Sequence, residues 1–134
     1  MGAPLIKWKA YGLKHPMSRA RNLGSAHHGV NHWIAQRLTA VLLIPLQIWL
    51  ACSIVHLVDA DYAGFVAWLS QPWNTVLMIL TVFTLFYHAI LGCQVVIEDY
   101  IHNEAFKLFK LYGMKVVLIT VGVVCVYSIL KVAL

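Results

Sequence analysis

Charge is what this chain is short of. Asp, Glu, Lys and Arg make up 11% of its 134 residues and only five are acids, whereas 61% are hydrophobic. A soluble domain of this size cannot bury that much apolar surface, which excludes a free-standing globular fold and points to an integral membrane protein. Cysteine is scarce too. Cys52, Cys93 and Cys125 fall one per apolar stretch with no C-x-x-C spacing, which excludes a disulfide framework or an iron–sulfur ligand set and leaves them as small packing residues. Residues 1–32 lack the apolar core of a secretory signal. They also lack acids, as organellar transit peptides do, but Arg and Ser are too sparse to specify one, so they read as a basic segment on the inner membrane face. No internal repeat or low-complexity tract is visible. The net charge of +5 is carried by residues that flank apolar stretches and build no aromatic-interleaved groove, which favours anionic lipid or an acidic partner over nucleic acid.

What the chain does have is three long uncharged runs. Leu38 to Val58 gives 21 residues and Trp73 to Ile97 gives 25 without Asp, Glu, Lys or Arg, each enough for the roughly 20 residues a spanning helix requires. Val116 to Leu130 is the third, bounded by Lys115 and Lys131, whose stems can snorkel to the headgroups. The expected fold is all-α and integral to the membrane. A basic inner-face segment (1–32) precedes a three-helix anchor domain (33–134) with helices over about 33–58, 72–100 and 111–134. Gly24, Ser25 and Gly29 mark a turn before the first helix, which should open near Asn31 to Trp33, and Pro45 predicts a kink within it. Lys7, Lys9, Lys14, Arg19, Arg21 and Arg37 precede or open the first span, Lys107, Lys110 and Lys115 lie between the second and third, and the loop from Asp59 to Pro72 has no Lys or Arg. The N-terminus is therefore expected inside and the C-terminus outside. Tyr62, Phe65, Trp68 and Trp73 supply an aromatic belt at the outer interface, and Pro72 suits the first turn of the second helix.

One ionisable group lies deep in the second run. His88 sits well inside the apolar stretch, and an imidazole there is costly enough that a functional role and a partner are the first things to seek. Gly92 follows one turn later on the same stripe, and Asp99 nearly shares that face. The glycine leaves either a slot in which a flat macrocycle could lie beside a haem-ligating His88, or a site of close helix packing beside a merely hydrogen-bonded one. If His88 binds haem, the chain has no second histidine at its depth. His56 is near the outer end of the first span, and His32 and His102 lie at the inner surface, so the other axial ligand must come from a partner. Glu98 and Asp99 end the helix against its dipole. Asp99 is expected either to pair with Arg37 in a structural salt bridge or to work with Tyr100, whose alternative is a belt aromatic. A phenol beside a carboxylate at the membrane edge suits quinone reduction, as donor to a carbonyl oxygen and nearby proton source.

The runs Gly24-Ser-Ala, His32-Trp-x-x-Gln36-Arg37-x-Thr39-Ala40, Pro45-Leu46 and Trp49, then His88-x-x-x-Gly92-x-Gln94-Val-Val-x-Glu98-Asp99-Tyr100-x-His102, resemble the hydrophobic membrane anchor subunit of succinate dehydrogenase, the smaller anchor of respiratory complex II. The resemblance covers about residues 22–102, and the third helix matches only as an apolar span. It implies three membrane helices packed with a cytochrome b556 anchor subunit, a haem b shared between the two, and His88 as one axial ligand to the iron. It further implies that Tyr100 hydrogen-bonds ubiquinone with Asp99 in support, and that Arg37, with His32 upstream, lies on the haem propionate side. A flavoprotein and an iron–sulfur subunit would deliver the electrons of succinate oxidation, since this chain has neither flavin nor cluster motifs and is not catalytic alone. The implied location is an inner membrane, with the bacterial one preferred over the mitochondrial. Two other readings stand beside it: the anchor of a quinol:fumarate reductase, and a non-redox scaffold or transporter subunit in which His88 serves a proton relay.

Overall fold

The computed structural model describes residues 26–134. The basic residues Lys7 to Arg21 and the Gly24-Ser25 part of the expected turn lie outside the described residues. Four helices follow in order: α1 (Ala26–His56), a short α2 (Tyr62–Leu69), α3 (Pro72–Tyr100) and α4 (Glu104–Ala133). The chain divides into two compact units, Met1–Trp33 and Ile34–Leu134, and the geometry below belongs to the second. Three of the helices are long and apolar enough to cross a membrane. At 28 to 30 residues each, they rise about 42–45 Å, more than the roughly 30 Å of a hydrocarbon core.

Helix boundaries differ from expectation where capping decides them. Helix α4 begins at Glu104, not Leu111, because Asn103 accepts a hydrogen bond from the Phe106 amide at 3.1 Å and Glu104 pairs with Lys107 at 2.8 Å. An acid in the first turn and a cap on an orphan amide both favour a helix start. Lys107, Lys110 and Lys115 are therefore helical. Helix α1 opens at Ala26 and runs through Gly29, which an interior position tolerates at a cost of about 1 kcal/mol. Pro45 lies inside α1, where its missing N–H leaves the Val41 carbonyl without its helical donor.

The short α2 was hidden within the expected aromatic loop. Asp61 caps it by accepting from the Gly64 amide at 2.8 Å. Trp68 stacks on Trp49 of α1 with centroids 5.9 Å apart, and the Trp68 and Leu69 carbonyls accept from Asn74 Nδ2 and Thr75 Oγ1 of α3. The belt aromatic Trp68 thus joins α2 to Trp49 of α1, while Tyr62 and Trp73 stay exposed.

Little of the described surface is buried: Leu46, Leu69 and Leu91 among hydrophobic residues, and Thr39, Ser53, Thr81 and Thr84 among polar ones. Thr39, Leu46 and Ser53 recur every seven residues on α1, a seam of the kind that nearly parallel or antiparallel helices share. Thr81, Thr84 and Leu91 line one side of α3. Small hydroxyl residues let membrane helices approach closely, and Thr39, Ser53 and Thr81 each donate to a carbonyl of their own helix. The cysteines depart from the expected packing role. Cys52 and Cys93 are exposed and Cys125 is half-buried, all three as free thiols.

Replacing Asn103 by Ala removes the α4 cap and should lower thermal stability by about 1 kcal/mol. Asn103→Asp should retain it, as measured by thermal unfolding of the detergent-solubilised protein.

Candidate functional site

His88 is positioned by α3 and met by α1. Its Nδ1 lies 2.9 Å from Oγ1 of Thr39, a residue 6% exposed on the α1 seam. Thr39 Oγ1 also lies 2.9 Å from the Ala35 carbonyl and 3.0 Å from the Gln36 carbonyl, the contacts a helical threonine makes with its preceding turn. The imidazole is half-buried, and no hydrogen bond from the described residues reaches its Nε2. One nitrogen is thus fastened within the chain and the other is left to whatever borders it.

The neighbouring glycine is occupied differently from the open slot that the sequence allowed. A Cβ on Gly92 would stand 3.7 Å from Nε2 of Gln36, an ordinary contact. The end of the Gln36 side chain on α1 thus stands beside Gly92, within ordinary packing distance. Thr39 opposite His88 and Gln36 opposite Gly92 also show that the two helices run antiparallel here.

That register settles the expected depths. His56 is about 25 Å of helix rise along α1 from Thr39, so it cannot approach His88. Asp99 lies about 16 Å along α3 from His88, whereas Arg37 is only about 3 Å of rise from Thr39. Arg37 and Asp99 stand at different levels, and the expected structural salt bridge between them is absent from the described residues. Arg37 is exposed, about 160° around α1 from Thr39. His32, on the Ala26–Trp33 part of α1, is half-buried, and its buried Nε2 has no hydrogen-bond partner among the described residues.

Asp99 and Tyr100 close α3. Both are exposed, the tyrosine at 79%, and the turn beyond them is short, with the Ile101 amide bonded to the Ile97 carbonyl before Asn103 opens α4. Glu98 accepts from Gln94 Nε2 at 2.8 Å, a local partner for one of the two acids. Tyr100 therefore has no pocket built around it by the described residues.

A groove of about 730 Å³ runs between α3 and α4, lined by Phe86, Ile90, Leu118 and Val126 with Gln94 and Lys115 as polar members. It opens where α4 approaches closely, since a Cβ on Gly122 would lie 3.4 Å from the Phe86 ring. None of His88, Asp99 and Tyr100 lines it. It occupies roughly the opposite side of α3 from His88, because Phe86 and Ile90 are about 160–200° around the helix from it.

Residues 12–129 match the family model described as succinate dehydrogenase/fumarate reductase transmembrane subunit. The chain belongs to this family. It is also similar to curated proteins called succinate dehydrogenase hydrophobic membrane anchor subunit. The one from Rickettsia bellii is 38% identical over 91 residues, covering 68% of this chain and 73% of the relative, and the one from Rickettsia conorii is 39% identical over 92 residues with the same coverage. A relative of the same name from Paracoccus denitrificans is 25% identical over 99 residues, covering 74% of this chain and 77% of its own. For a transmembrane subunit of this family, the many exposed apolar side chains are surface for lipid and neighbouring subunits.

Thr39 and Gln36 were visible only as members of a motif, with no role attached. The signal that would have singled them out is the pairing of levels between α1 and α3, which no single helix carries. Gly92→Ala should leave assembly of the subunit unchanged, because the added Cβ meets an ordinary contact. Gly92→Leu should displace Gln36 and sharply reduce the yield of intact complex on size-exclusion chromatography in detergent.

Proposed function

We propose that this chain anchors succinate:ubiquinone oxidoreductase in the membrane, supplies one axial ligand to a shared haem b through His88, and contributes Tyr100 and Asp99 to the ubiquinone site. The observation that carries the haem reading is the state of His88: a deep imidazole with Nδ1 held by Thr39 and with no hydrogen bond from the described residues at Nε2. A metal-ligating histidine has that form, one nitrogen bonded to an oxygen and the other free to coordinate. Haem b, when bound, supplies a one-electron site beside the quinone-reducing end of the complex. The donor set fits it on one side only. Among the described residues the register leaves no histidine beside His88, which supports a second ligand from the partner anchor, the cytochrome b556 subunit. Arg37, exposed near the level of His88, serves the propionate side, a role that the family resemblance extends to His32.

The names of the curated relatives support succinate dehydrogenase as the parent enzyme, with a flavoprotein and an iron–sulfur subunit as the remaining partners. Lys107, Lys110 and Lys115 at the start of α4, set against the stretch Asp59 to Pro72 without Lys or Arg at the opposite end of α3, favour an inside N-terminus and an outside C-terminus. The bacterial relatives favour a bacterial inner membrane. On that orientation Tyr100 ends α3 at the inner face, where electrons from succinate arrive. Its exposed hydroxyl donates to a quinone carbonyl oxygen, and Asp99 beside it holds a proton for the reduced ring.

Two measurements test this reading. His88→Ala should abolish the b-type absorption of the purified complex, and a complex that keeps its haem spectrum would overturn the ligand assignment. Tyr100→Phe should lower ubiquinone reduction by about 100-fold, in line with the loss of a positioned acid–base group. Succinate oxidation with a water-soluble acceptor should stay near the unmodified rate. Equal loss in both assays would place Tyr100 outside the quinone site, and faster turnover toward succinate than toward fumarate favours the dehydrogenase over the fumarate reductase.

A further inference from the structure

We infer that Thr39 is a positioning residue for His88, whose hydroxyl accepts the Nδ1–H and thereby selects the tautomer with a free Nε2 lone pair. The inference rests on the haem reading of His88 and adds a second residue to it.

The argument is a count of protons. Thr39 Oγ1 has three neighbours at hydrogen-bond distance: the Ala35 carbonyl at 2.9 Å, the Gln36 carbonyl at 3.0 Å and His88 Nδ1 at 2.9 Å. A carbonyl oxygen can only accept, and a hydroxyl has one proton to donate. If that proton went to Nδ1, two oxygen lone pairs would face the Thr39 oxygen at close range with nothing between them. With the proton directed to the preceding turn, both carbonyl contacts are satisfied and the Nδ1 contact is filled by the imidazole's own N–H. Neutral imidazole then carries its lone pair on Nε2, as iron ligation requires.

The surroundings strengthen this assignment. Thr39 is 6% exposed, so water does not compete for its oxygen, and its β-branched side chain has few rotamers to choose from. It reaches His88 from a different helix, 49 residues away in sequence, so the ring orientation is set by the packing of α1 on α3. Donation from Nδ1–H to an oxygen also raises the basicity of the ligating nitrogen. A more basic ligand favours ferric over ferrous iron and lowers the haem midpoint potential.

The test uses the complete complex purified in detergent, with Thr39→Val, Thr39→Ser and His88→Ala. Valine keeps the branched shape and removes the hydroxyl, whereas serine keeps the hydroxyl. For T39V we expect a higher midpoint potential in a redox titration of the b-type band, and haem loss to added apomyoglobin faster by about tenfold, the lower range for partners of metal-ligating histidines. T39S should return both values toward the unmodified protein. A purely structural role would alter assembly without moving the potential of the haem that remains. If T39V does not assemble, Thr39→Cys takes its place, the thiol being a weaker acceptor, with a smaller upward shift expected. An unmoved potential and loss rate in the assembled variant, or T39S behaving as T39V, overturns the inference while haem loss in H88A leaves the ligand reading standing. Retention of the haem spectrum in H88A overturns both.

Discussion

A single interhelical hydrogen bond, Thr39 to His88, sets the level at which the first and third helices meet, and most of what can be said about this chain follows from that level. In hydrocarbon there is no water to compete for polar groups, so a paired imidazole resists sliding along its neighbour. Such bonds average only about 0.6 kcal/mol in membrane helices. Their importance here is therefore one of register more than strength. With Thr39 opposite His88, Gln36 falls opposite Gly92, Arg37 rises to the level of the imidazole, and His56 is carried far away.

The same helix α3 faces two environments. One side carries His88 and Gly92, which meet Thr39 and Gln36 of α1. The other borders the apolar groove with α4, where Phe86 meets Gly122. The hydrogen bond to His88 is thus made on the side that meets α1, and the groove side is mostly apolar, with Gln94 and Lys115 among its lining. A histidine displaced by two positions would have faced the groove, away from Thr39.

Much of the architecture was legible because the bilayer imposes it. Runs such as Leu38 to Val58 and Trp73 to Ile97 are long, uncharged and flanked by asymmetric positive charge, and a polypeptide has few other ways to satisfy its backbone over that distance. The end of α3 at Tyr100 followed from the acids there. The start of α4 did not, because the lysines at 107, 110 and 115 looked like loop charge, whereas the Asn103 cap and the Glu104–Lys107 pair make the same stretch helical. The short α2 was obscured in the same way, its aromatics reading as an interfacial belt although Asp61 caps them into a helix.

The sequence by itself determined that this is a membrane protein with three long apolar helices, that His88 lies well inside an apolar run and that Asp99 and Tyr100 end a helix, since each of these depends on residues close together in the chain. Only the tertiary structure decided which residue holds His88, what stands beside Gly92 and whether Arg37 reaches Asp99. Those answers depend on the relative height of two helices whose touching residues are 49 positions apart in sequence. Hydrophobic periodicity is indifferent to a sliding shift along the membrane normal, and it takes directional hydrogen bonds and side-chain packing to choose one.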